Sequence, residues 1–187
     1  LAPGFESLAA DLWWLRTVQY FGAQRAFATD QRYALLGPLI DMTTTLDPRL
    51  EIAYRYGAVF LSEPWPTGAG RPEEGIEILE RGCRELPLSW RLRQDLGFFH
   101  FVFLKDAQRA GDILLNAAEI PGAPFWLKSL AGDILAKGGA RATSRQVWKA
   151  MYEQAEQGSM KWNAKSHLDV LDALDGAAAL QSLVDQY

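Results

Sequence analysis

The chain has 187 residues, 49% hydrophobic and 22% charged, with a formal net charge of -4. At that length roughly 70% of the unfolded surface is buried on folding, so a core forms without a metal or disulfide staple. The 19 basic residues are scattered along the chain, which excludes a nucleic-acid or basic membrane-surface role, since both need clustered Lys and Arg.

The one cysteine, Cys83, rules out an internal disulfide or a cysteine zinc site, and its place beside Gly82 on an apolar helix predicts a buried structural thiol. The longest strongly apolar run, Leu96 to Leu104 interrupted by His100, is too short for the roughly 20 residues of a membrane helix. The expected protein is soluble, cytoplasmic or periplasmic. It begins at Leu1 rather than methionine, which predicts an N-terminal segment removed or left out.

In chain order, Phe5 to about Ala28 carries Leu8, Leu12, Leu15, Val18 and Phe21 at spacings of three and four. This is one stripe of an amphipathic helix, widened by Trp13 and Trp14. Thr29-Asp30 offers a cap for a second helix through Leu36 and Ile40 to Leu46, with Pro38 near its start. Asp47-Pro48 closes that helix and opens a third, which ends about Ser62 against Glu63-Pro64-Trp65-Pro66. Arg71-Pro72-Glu73-Glu74 restarts helix, its two carboxylates complementing the positive helix end rather than forming a catalytic pair.

Ser89 is the expected cap for a helix from Trp90 to about Leu104, and Asp106 for one to about Ile120. Pro121-Gly122-Ala123-Pro124 breaks the chain. Phe125 to Ala136 and Ser144 to about Gln157 follow, the second capped by Thr143. Ser159 opens a helix to about Leu174, and Asp175-Gly176 leads into a last one near Tyr187. No alternating strand pattern occurs, so the expected fold class is all-α.

Gly22, Gly57, Gly97 and Gly132 recur near the middle or end of the first helix of each pair. A glycine inside a helix costs about 1 kcal/mol relative to alanine, so the recurrence predicts that a neighbouring helix approaches closely at each. Phe21-Gly22, Tyr56-Gly57 with Phe60, Leu96-Gly97 with His100, and Ala131-Gly132 with Leu135 follow one pattern. Leu36 with Ile40, Gly75 with Leu79, Ala110 with Leu114, and Ser144 with Trp148 follow a second, and Pro48 and Pro87 stand where a repeat would close. In these residues the chain resembles the tetratricopeptide repeat family over about Leu8 to Gln157. The fourth repeat lacks a closing proline and the first has Arg25 where an aromatic is usual.

The resemblance implies a single domain, a right-handed superhelix of four helix-turn-helix repeats at about 8–47, 48–88, 89–122 and 124–157. Two capping helices over 159–187 would complete it. Stacked pairs would bury one another's stripes in a continuous core, with first helices lining a concave face. Carried across, the groove positions are Arg16, Gln19, Tyr20, Tyr54, Arg55, Arg91, Gln94, Asp95, Phe98, Phe101, Asp133 and Ala136. Aromatic and Arg side chains of this kind favour recognition, although Phe98 and Phe101 read equally as core. The branch of the family that clasps chaperone C-termini needs groove asparagines. Ala23, Ala58, Phe98 and Asp133 follow the four glycines here, which argues against that role.

The loop from Glu63 to Pro72 is a candidate docking loop through Trp65 and Arg71, set against a self-packed loop with Trp65 folded back. His100 reads as a core histidine, and His167 lies far from it in sequence. No nucleophile elbow, phosphate-cradling loop, zinc-protease or calcium-loop motif is present, so no enzyme activity, cofactor or metal is expected. The implied function is protein binding, as a scaffold or accessory subunit of a larger assembly, any membrane association being peripheral and made through a partner. Aromatic anchors in the groove would dock a peptide or folded subunit, with Arg55 and Arg91 orienting carboxylates. The alternative is a helical carrier of an apolar ligand near Phe98 and Phe101.

Overall fold

The computed structural model describes residues 5–27, 33–156 and 158–185. Among them are nine α-helices and no strand: α1 (Phe5–Phe27), α2 (Leu36–Leu46), α3 (Glu51–Ser62), α4 (Pro72–Glu85), α5 (Trp90–Val102), α6 (Ala107–Ala118), α7 (Trp126–Lys137), α8 (Arg141–Gln154) and α9 (Ser159–Val184). The fold is all-α. None of these helices is long and apolar enough to cross a membrane.

Helix starts follow the local chemistry closely where a side chain caps them. The Ser89 hydroxyl accepts from Leu92 N–H at 3.2 Å, and Asp106 accepts from Arg109 N–H at 2.9 Å, each satisfying an amide free in the first turn. Pro72 occupies the first position of α4, where its missing N–H costs nothing. Three expected starts move, α2 among them, which begins at Leu36 rather than directly after Asp30. Asp47 accepts from Arg49 N–H at 2.9 Å, which turns the chain locally and delays α3 to Glu51. Thr143 and Ser144 lie inside α8, because Ser144 spends its buried hydroxyl on the Gly132 carbonyl of α7 at 2.8 Å. The expected cap at Thr29-Asp30 and the end at Tyr187 lie outside the described residues, and α8 stops at Gln154, short of the expected end near Gln157.

The C-terminal pair of capping helices is one helix. α9 runs unbroken through Asp175-Gly176 for 26 residues. An interior glycine costs only about 1 kcal/mol, and Asp175 is held by Arg145 of α8 at 2.7 Å, so the dipeptide does not stop it.

Backbone contacts group the chain into two compact units, Leu1–Phe99 and His100–Tyr187, the division falling within α5. In the first, α1 packs on α2, α2 on α3 and α3 on α4. Leu36, Ile40, Tyr54, Leu61 and Leu79 are fully buried there, each worth about 1.5–3 kcal/mol of burial. Gly57 does admit its neighbour: a Cβ there would sit 3.1 Å from the Ile40 side chain of α2. Gly22 does not, having nothing within 4 Å.

In the second unit α6 packs on α7, α7 on α8 and α8 on α9. Trp148, Met151, Ala164 and Leu171 form its core cluster, and the Trp148 indole stacks on the His167 ring at 4.0 Å, 2° from parallel.

Candidate functional site

α1 packs through an unexpected face. Ala10, Thr17 and Phe21 are its buried residues. Phe21 stacks on Phe60 of α3 at 4.1 Å, and Trp14 lies parallel to the same ring at 6.0 Å. Of the stripe expected in the core, only Phe21 is there; Leu8, Leu12 and Leu15 remain 55%, 57% and 55% exposed, and Val18 is also exposed. Phe21 and the leucines lie on opposite sides of the cylinder, since successive residues turn by about 100°. Once the aromatic side is packed, the leucine side must face away.

Beside this open stripe runs a groove of about 640 Å³, lined by Leu12, Leu15, Arg16, Gln19 and Tyr20 of α1 with Leu35 and Leu39. The Tyr20 hydroxyl accepts from Leu35 N–H at 3.2 Å, which fixes the start of α2 along one edge. Three residues expected on a recognition surface, Arg16, Gln19 and Tyr20, are therefore brought together. The chain matches no family model, no curated protein and no solved structure.

The other predicted recognition residues have different surroundings. Tyr54 is completely buried, its ring so close to α4 that a Cβ on Gly82 would come within 2.8 Å of Cγ. It cannot serve as an exposed anchor, and burial raises its phenol above the ordinary value. Arg55 donates from Nε to Asp95 at 2.5 Å and from Nη2 at 3.3 Å, so the guanidinium expected to orient a ligand carboxylate already holds one, and that hydrogen bond raises its pKa. Arg91 lies over the Trp90 ring at 4.5 Å. Gln94 is half-buried and Phe98 exposed. Asp133 sits 3.4 Å from His167 Nδ1.

The loop from Glu63 to Arg71 has its own backbone order. Gly68 N–H donates to Pro64, Gly70 to Glu63 and Arg71 to Leu61. The Tyr33 hydroxyl donates to the Pro66 carbonyl at 2.9 Å. Arg71 turns inward, its guanidinium donating to the Tyr33 carbonyl at 3.0 Å and to Glu74 at 2.9 Å, which holds Tyr33 in the left-handed region at φ 50°. Arg71 thus anchors the loop. Trp65 is not folded back; it is 68% exposed.

A second open face lies on α9, where every residue from Asp172 to Asp185 is exposed, Leu174, Leu180, Leu183 and Val184 among them. Among the described residues, no group of three or more His, Cys, Asp or Glu is placed to hold a metal ion.

Proposed function

We propose that the protein is a helical interaction module, a scaffold or accessory subunit that docks a protein partner, a further copy of the chain included, through the open face of α1. Exposure of Leu8, Leu12 and Leu15 on one side of a helix whose other side is packed carries this reading. Contiguous apolar surface of that kind is costly in water and marks an interaction site. A partner helix presenting apolar residues at spacings of three and four fits it, the helix-in-groove mode of recognition.

Tetratricopeptide-like organisation remains the architectural proposal. It draws support from the sequential packing of α1 with α2 and α3 with α4 and from the tight seat of Gly57 on Ile40. The docking face moves, however, from Tyr54 and Arg55 to α1, since Tyr54 is inside and Arg55 is paired.

Gentle purification of wild type and a Leu12→Asp/Leu15→Asp variant from the native source, followed by mass spectrometry, tests the reading. A defined set of proteins at fixed ratio should accompany wild type and be lost from the variant, while circular dichroism shows both folded. An unchanged set with the variant would remove α1 as the docking face.

A further inference from the structure

Phe5, Leu8, Leu12, Leu15 and Gln19 follow one another along α1 at intervals of three, four, three and four. That mean spacing of about 3.5 residues is the one that keeps a single seam turned toward a partner helix as two helices supercoil. All five side chains are exposed. In heptad terms Phe5, Leu12 and Gln19 take the first seam position and Leu8 and Leu15 the fourth. Asp11 then borders the seam on one side and Arg16 on the other, five residues later. Both are exposed, and neither has an ion-pair partner among the described residues.

We infer that the occupant of this face is a second copy of the same chain, its α1 lying parallel to the first. This rests on the reading of α1 as the docking face. In a parallel pair the residue before a first seam position faces the one five places on in the other helix. Asp11 of each copy therefore meets Arg16 of the other, twice, by the two-fold axis. Leu8, Leu12 and Leu15 each meet their own equivalents, and the two Gln19 amides face one another. A polar pair at that seam position sets register and helix number.

Antiparallel pairings fare worse on the same residues. Setting Leu8 against Leu12 of the second copy brings the two Asp11 carboxylates together. Setting Leu15 against Gln19 brings the two Arg16 side chains together and places Leu12 against Gly22, where there is no side chain to pack. Setting Leu12 against Leu15 leaves Asp11 facing Val18 and Arg16 facing Ala9, so neither charge gains a partner. Only the parallel arrangement combines an apolar seam with opposite charges on both borders. It also presents Val18, exposed on the Asp11 side, to the edge of the second copy that Leu35 and Leu39 border.

Analytical ultracentrifugation of the full chain, with site-directed cross-linking, tests the inference. Wild type should be dimeric at about 100 μM and Leu12→Asp monomeric, its dissociation constant raised at least about 100-fold. Leu12 is exposed in the single chain, so circular dichroism should show that variant folded. In a Cys83→Ser background, Leu12→Cys should form an interchain disulfide with oxidised glutathione, which none of the three antiparallel registers permits. Asp11→Arg should weaken the dimer, and Asp11→Arg/Arg16→Asp should restore it to within about threefold.

A wild-type monomer at that concentration, or a dimer indifferent to Leu12→Asp, would overturn the inference. So would a Leu12→Asp-sensitive dimer in which Leu12→Cys does not cross-link. If the chain is monomeric but Leu12→Asp/Leu15→Asp still strips its co-purifying proteins, the docking face stands with a different occupant. If neither property responds, both the inference and the reading beneath it fail.

Discussion

Gly132 of α7 lies directly beneath the Trp148 indole of α8: a Cβ at Gly132 would come within 2.8 Å of both Cε2 and Nε1 of the ring. The indole is almost wholly buried and stacked on His167, so it has no room to retreat. The missing methyl is what lets α7 and α8 approach.

Gly132→Ala should therefore destabilise the protein. Overpacking a well-filled core costs about 1–3 kcal/mol, and the gain in helix propensity returns about 1 kcal/mol, leaving a net loss of about 1 kcal/mol. Gly22→Ala should do the reverse, because nothing lies within 4 Å of the added methyl; a gain of about 0.5–1 kcal/mol is expected from the interior of α1. Urea midpoints of the two variants should move in opposite directions.

Tyr54 separates packing from polarity. Its side chain is fully buried, but its hydroxyl has no hydrogen-bond partner among the described residues. Truncation by Tyr54→Ala should cost about 3–5 kcal/mol through the cavity it leaves. Tyr54→Phe keeps the ring and removes an unsatisfied hydroxyl, so stability should hold or rise by about 1 kcal/mol. A large loss in Tyr54→Phe by urea unfolding would show that the hydroxyl is bonded.

Some helix starts were legible because they carry their own punctuation. Ser89 and Asp106 cap where their oxygens reach the third amide, and Pro72 starts α4. What was not legible was the direction each apolar face points. α1 has two apolar sides, leucines on one and Ala10, Trp14 and Phe21 on the other, and periodicity cannot choose between them. The choice is made by Phe60, which stacks on Phe21 from another helix. The family resemblance placed Tyr54 in a groove, whereas the absence of a side chain at Gly82 draws it inside. The continuity of α9 was hidden for a related reason: its support at Asp175 comes from Arg145 and Arg141, more than thirty residues away in the latter case.

Cys83 should react slowly. It is half-buried, and desolvation pushes its thiol up to about 11. Only the thiolate attacks, so at pH 8 its rate with a disulfide reagent should fall about 100-fold below that of the same thiol in the unfolded chain. The rate should keep climbing with pH beyond the ordinary thiol range. A plateau near pH 9 would show an ordinary, solvated thiol and remove the structural assignment.

The outer half of α9 should loosen in acid. From Asp172 onward the helix is exposed on all sides, and its ties to α8 are the Arg145 guanidinium, which bonds Asp172 and Asp175, and Arg141, 3.4 Å from Asp175. Hydrogen bonding from Arg145, joined by Arg141, holds the Asp175 carboxyl below its ordinary value of 3.8. A folded-state pKa below the unfolded one means the native state binds the proton more weakly. The contact's contribution is therefore present in full above about pH 5 and is lost as pH falls through the ordinary value toward the folded one. Amide exchange across residues 172–185, corrected for its intrinsic pH dependence, should accelerate over that interval. Asp175→Asn should exchange faster than wild type at pH 7 and show a shallower response to acid. Because these charges are exposed, added salt should weaken the wild-type protection as well. Equal protection in wild type and Asp175→Asn at pH 7 would mean that the outer half of α9 is held by its own helical bonds rather than by α8.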